Sequence, residues 1–86
     1  MKYWEITHHM QTIRVENRWN SERLYVNGEL QDERMGVRSE SRLYGRIYNQ
    51  NQEVEPIKVS IGTYVFRLHC LVFINDRLVF SSVEHS

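Results

Sequence analysis

The sequence predicts an all-β chain: a compact antiparallel β-sandwich or flattened barrel of about seven to eight short strands. Three observations carry that expectation. A short pattern is written twice, as Leu24-Tyr25-Val26-Asn27-Gly28-Glu29-Leu30 and as Val72-Phe73-Ile74-Asn75-Asp76-Arg77-Leu78. In each copy a β-rich arm, a two-residue turn and a second arm spell a hairpin. Asn-Gly and Asn-Asp accept the positive φ that a type I′ turn demands, and that turn's twist suits its flanking strands. An alternating segment lies upstream of each copy, Ile13-Arg14-Val15-Glu16 and Ile57-Lys58-Val59-Ser60, so the chain reads as two related antiparallel units. Helical periodicity is absent throughout.

Taken in order, Lys2 to Thr7 alternates with Trp4 and Ile6 on one face, which predicts a first strand starting close to Met1. His8 to Gln11 is expected to turn into a second strand over Thr12 to Glu16, with Ile13 and Val15 inward. Asn17 to Ser21 reads as a loop. Glu22–Val26 and Glu29–Glu33 form the first hairpin, with Leu24, Val26 and Leu30 as core candidates and Tyr25 on the opposite face. Polar residues and Gly36 interrupt the pattern from Arg34 to Ser41, and Arg42 to Tyr48 resumes it with Leu43 and Ile47 on one side. Gly45 there marks a bulge or a close backbone approach. A polar loop, Asn49 to Glu53, precedes a strand that tolerates Pro56 near its start. Thr63 to Ile74 is expected to be one central strand, with Tyr64, Phe66, Leu68, Cys70, Val72 and Ile74 making an apolar face.

Eighty-six residues make a single domain, residues 1–86, and a chain this short buries only roughly 60 to 65% of its unfolded surface. A content of 41% hydrophobic residues and 12% aromatics gives enough apolar volume for a packed core, and oligomerisation could add to its stability. Lys+Arg and Asp+Glu are both 11. That balance argues against a polyanion-coating protein or a membrane-surface binder. Arginines far outnumber lysines among the cations, a bias towards forked contacts with carboxylates and aromatic faces. The lone Cys70 excludes an internal disulfide, the N-terminal residues lack a signal-peptide pattern, and no apolar run reaches membrane-spanning length. A cytoplasmic, intracellular chain is the expectation.

The chemistry-bearing residues predict no catalytic, cofactor or metal site. His8, His9, His69, His85 and Cys70 are ligand types that zinc uses, but neighbours on a strand point to opposite faces, so neither His8-His9 nor His69-Cys70 makes a chelating pair. Cys70 alternates with apolar residues and reads as packing rather than as a nucleophile. Glu53 and Glu55 read as solvated loop charges rather than a proton-transfer pair. Scattered glycines without a helix offer no phosphate cradle.

Arg34, Arg38, Arg42 and Arg46 recur every four residues, interleaved with Tyr44 and Tyr48. In an unbroken strand all would share one face, and such a face can bind single-stranded nucleic acid or another protein. The simpler reading is a solvated strand face neutralised by Glu33 and Glu40, with Gly36 and Ser39 breaking the register. Trp19, an aromatic in a polar loop, either folds back over the core or anchors a partner. The candidate interaction residues are thus Trp19, Arg42, Tyr44, Arg46 and Tyr48. The expected function is a non-catalytic protein-interaction module that binds a protein partner or itself as a homo-oligomer. The first rival is a small single-stranded nucleic-acid-binding domain using the Arg/Tyr face, disfavoured by the neutral charge. The second is a small-ligand binder with a pocket lined by Trp4, Tyr64 or His69.

The strings Trp4-Glu5-Ile6, Ile13-Arg14-Val15-Glu16-Asn17 and Glu22-Arg23-Leu24-Tyr25-Val26-Asn27-Gly28-Glu29, followed by Ser60-Ile61-Gly62 and Phe73-Ile74-Asn75-Asp76-Arg77-Leu78, resemble the repeat unit of the Fas apoptotic inhibitory molecule family. Family members carry two such units in tandem where this chain has one, and Arg67 to Leu71 runs straight through where the family unit would carry a longer loop. The resemblance implies a compact antiparallel β-domain that acts through protein contacts in the cytosol without catalytic machinery.

Overall fold

The computed structural model describes residues 1–37, 39–64 and 67–83, with only the main chain of Tyr64. Arg38, Phe66 and His85, which entered the readings above, lie outside the described residues, as does the Tyr64 side chain. The strands are β1 (Lys2–His8), β2 (Gln11–Arg18), β3 (Ser21–Val26), β4 (Glu29–Met35), β5 (Glu40–Tyr48), β6 (Val54–Tyr64), β7 (Arg67–Ile74) and β8 (Arg77–Ser81). They form two four-stranded antiparallel sheets, β1-β2-β3-β4 and β5-β6-β7-β8, in which each strand pairs only with its neighbours in sequence. The all-β expectation holds, in the form of a β-sandwich. Among the described residues no helix is long and apolar enough to cross a membrane.

Alternation fills the space between the sheets. Ile13, Val15, Leu24 and Val26 come from the first sheet, and Leu43, Ile47, Ile57, Val59, Ile61, Cys70, Val72 and Ile74 from the second. No described aromatic belongs to this fully buried set. Trp4 and Phe80 pack against it from the rim, half-buried, together with Ile6 and Leu68.

The doubled sequence pattern is a doubled structure. Ile13 and Val15 pair with Val26 and Leu24, just as Ile57 and Val59 pair with Ile74 and Val72. The Asn27 amide donates to Thr12 O at 2.8 Å, and the Asn75 amide to Pro56 O at 3.0 Å. Both turns are left-handed at both central residues, with φ of 51° and 83° at Asn27-Gly28 and 51° and 62° at Asn75-Asp76. Each is followed by a bulge at the same place. Tyr25 pairs with Leu30 and Leu24 with Asp32, skipping Gln31, while Phe73 pairs with Leu78 and Val72 with Phe80, skipping Val79.

Several expectations need correction. Leu30 is not core: the two-residue turn sets it opposite Tyr25 on the outer face, where it is 51% exposed. The Asn17–Ser21 loop shrinks to the turn Trp19-Asn20, because Arg18 and Ser21 already pair. Thr63 to Ile74 is not one strand, since Tyr64 closes β6 and pairs with Arg67 at the start of β7. The turn expected from His8 to Gln11 is present and centres on His9 and Met10, at φ of 49° and 64°. In leaving the strand, His9 brings its ring centroid to 4.2 Å from that of His8, so this pair does not point to opposite faces. No group of three or more metal-ligating side chains occurs among the described residues.

The edge strands β4 and β5 lie side by side and are joined by side chains rather than by a main-chain ladder. Asp32 Oδ2 accepts from the Tyr44 amide at 2.8 Å, Gln31 Oε1 from the Arg46 amide at 2.7 Å, and Arg34 Nε donates to Arg42 O at 3.1 Å. Gly45 makes this approach possible. A Cβ there would collide with Gln31 Oε1 and lie 2.9 Å from Leu24 Cδ2, whereas the β5–β6 register runs without a bulge.

Candidate functional site

The parity of β5 that buries Leu43 and Ile47 turns Arg42, Tyr44, Arg46 and Tyr48 together onto the outer face of the second sheet. Tyr44 and Tyr48 are 51% and 47% exposed. Arg34 does not belong to this stripe: it stands in β4, beyond the break at Gly36, and reaches β5 only through Arg42 O. The expected neutralisation by Glu33 and Glu40 is half observed. Glu40 lies 3.4 Å from Arg42, with both side chains largely exposed, whereas Glu33 is engaged by Arg23 on the other sheet.

The pairing register extends the stripe across the whole sheet. One row runs Tyr44, Lys58, Phe73, Leu78, and the next Arg42, Ser60, Leu71, Ser81. Lys58 Nζ sits 4.8 Å from the Phe73 ring centroid, a contact in which the ammonium is held over the ring face. Beside these rows a groove of about 450 Å³ is lined by Ser60, Gly62, Thr63, His69, Leu71 and Val83. Of Trp4, Tyr64 or His69, the residues expected to line a pocket, His69 lines this outer groove and Trp4 packs on the core, while the Tyr64 side chain lies outside the described residues.

The outer face of the first sheet is built differently. Arg14 bonds Glu16 at 3.0 Å and Glu5 at 3.4 Å and stacks 3.8 Å over the Tyr3 ring, while Arg18 reaches Glu16 at 2.9 Å. Arg23 binds Glu33 and the Tyr25 hydroxyl. Burial pushes the Glu16 carboxyl up, but the hydrogen bonds and charges of Arg14 and Arg18 together outweigh it and hold the group below the ordinary carboxylate value. Charges on this face are spent on one another.

Trp19 takes the exposed alternative. It sits 84% exposed at the tip of the β2–β3 turn, next to exposed Met35 and Val37, whose intervening Gly36 amide donates to Asn20 O at 2.8 Å. Cys70 is fully buried, and desolvation pushes its thiol up to about 12, in keeping with a packing role. Glu55 is a strand residue rather than a loop charge, and it accepts from Asn75 Nδ2 at 2.7 Å.

The sequence reading missed Glu22, which is 4% exposed and whose Oε1 has no hydrogen-bond partner among the described residues. Its signal was its alternation with Leu24 and Val26, which places it on the inward face. Compared with known proteins, the chain matches no family model, no curated protein and no solved structure.

Proposed function

We propose that the chain is a non-catalytic protein-interaction module of the cytosol, and that its binding surface is the outer face of the β5–β8 sheet. The carrying observation is the row Tyr44–Lys58–Phe73–Leu78, which lays cationic and apolar side chains across four strands with Arg42 and Arg46 on either side of Tyr44. Tyr and Arg anchors around apolar contacts are the composition of interface hot spots. Cations on this face fit a partner segment that carries carboxylates together with aromatic or aliphatic residues. Kinship with the repeat unit of the Fas apoptotic inhibitory molecule family belongs to the same proposal, since that resemblance implies protein contacts in the cytosol.

The test is retention on an immobilised glutamate–tyrosine copolymer at low and high salt. Binding that is weakened by salt and lost in Arg42→Ala/Arg46→Ala and in Tyr44→Ala supports the proposal; equal retention of these variants overturns it. The alternation of Arg and Tyr along β5 favours a second reading, a face for single-stranded nucleic acid. Tighter, salt-dependent binding of an oligothymidylate by the same residues would replace the first reading with the second.

A further inference from the structure

We propose that two copies of this chain join along β1, antiparallel, to make one continuous eight-stranded sheet. The inference is independent of the binding face above and uses an edge of the other sheet.

It follows from the internal repeat. Trp4 pairs with Val15 as Leu43 pairs with Val59, and Glu5 with Arg14 as Tyr44 with Lys58. Tyr3, Glu5 and Thr7 therefore occupy the places of Arg42, Tyr44 and Arg46, and like them turn their main-chain groups away from the neighbouring strand. On β5 the two corresponding amides are taken by Asp32 and Gln31. The residues of β8 equivalent to Gln31 and Asp32 are Val79 and Phe80, which have no side-chain acceptor. Ile6 also stands where Gly45 lets β4 approach. The Glu5 and Thr7 amides are thus the ones that the repeat leaves without the side-chain acceptors it supplies on β5.

The other edges are managed. β4 and β5 occupy each other, and β8 is five residues long and bulged at Val79. In contrast, β1 pairs over seven residues without a register shift, the kind of long, unbulged edge on which strand addition occurs.

Charge selects the occupant and the register. Outward-facing groups must pair with outward-facing groups across a two-fold axis. A register centred on Glu5 would set two carboxylates opposite each other, which is unfavourable. Centred on Trp4, each Tyr3 lies opposite Glu5 of the second copy. Arg14 already stacks on Tyr3 and bonds Glu5, so that carboxylate meets a guanidinium from each chain. The two Trp4 rings then become neighbours at the axis, each half-buried in the single chain, and an aromatic pair at that position adds packing.

The test is light scattering coupled to size exclusion over a hundredfold concentration range, with amide hydrogen exchange read at Glu5 and Thr7. The expected result is a dimer in which both amides gain protection as concentration rises. Glu5→Pro removes an outward amide that the single chain does not use, and should weaken dimerisation by about 100-fold while leaving the fold intact. If that variant fails to fold, Glu5→Lys sets like charges against Arg14 and should do the same. Copolymer retention survives both substitutions, and Arg42→Ala/Arg46→Ala leaves the dimer unchanged, so the two proposals fail separately. A wild-type monomer throughout, or a dimer in which the Glu5 and Thr7 amides exchange as fast as in the monomer, overturns the inference.

Discussion

The two long sides of the sandwich descend from the same pattern and end differently. On one, β4 and β5 approach until Gln31, Asp32 and Arg34 bond the outward main chain of β5. On the other, β1 and β8 remain sheet edges, although they come close enough at one end for His8 and His9 to share a cavity with Arg77 and Val79. The strand pairings on both sides are equivalent, so pairing does not decide the difference. It is decided by a few side chains: two polar acceptors against Val79 and Phe80, and a glycine against Ile6. An edge in this fold is thus open or closed by local chemistry rather than by topology.

The strongest way to break the contrast is Gly45→Val. Its Cβ meets the fully buried Leu24 as well as Gln31, and forced overpacking of this kind costs about 2–3 kcal/mol, which a urea melt reads directly. Asp32→Ala comes next, because Asp32 accepts from both the Tyr44 and the Glu33 amides at 2.8 Å. Losing those bonds costs about 1–2 kcal/mol, and exchange of the Tyr44 amide should accelerate while that of the inward-bonded Leu43 amide changes little.

A smaller effect, on the outer face of the first sheet, depends on pH. The Glu16 carboxyl is held below its ordinary value of 4.5, so its contribution to stability is complete above that value and is lost as pH falls through the lower, folded one. Glu16→Gln should therefore lower the melting temperature at pH 7 and draw level with wild type in strong acid. Smallest of all is Arg46→Ala. Only the amide of Arg46 contributes to the β4–β5 seam, so stability should stay within about 0.5 kcal/mol of wild type even though the binding face loses a cation. A large loss would show that the guanidinium itself closes the seam.

Much of the fold was legible because turn chemistry and alternation agreed. Asn27-Gly28 and Asn75-Asp76 announced their hairpins, and Leu43, Ile47, Ile57 and Val59 fell inward by parity alone. The turn expected from His8 to Gln11 is there, but its two central residues, His9-Met10, carry no signal of the Asn-Gly kind. Similarly, nothing in Thr63 to Ile74 resembles a turn, and the alternating apolar pattern hid the change from β6 to β7. Leu30 could have been placed correctly by counting across its two-residue turn. On the candidate face, the grouping of Arg42, Tyr44, Arg46 and Tyr48 followed from their spacing, but Lys58, Phe73 and Leu78 join them only through the register of three strand pairs. The side-chain closure by Asp32 and Gln31 spans 12 and 15 residues of sequence respectively, a distance over which periodicity carries no information.

Cys70 gives this architecture an internal clock. With the thiol raised to about 12, only about one molecule in 10⁵ carries a thiolate at pH 7, and the side chain is sealed between the sheets. A disulfide reagent reaches it only when β7 separates from its surroundings, so the labelling rate measures how often the second sheet opens. As the chain's single cysteine, it reports that event without interference.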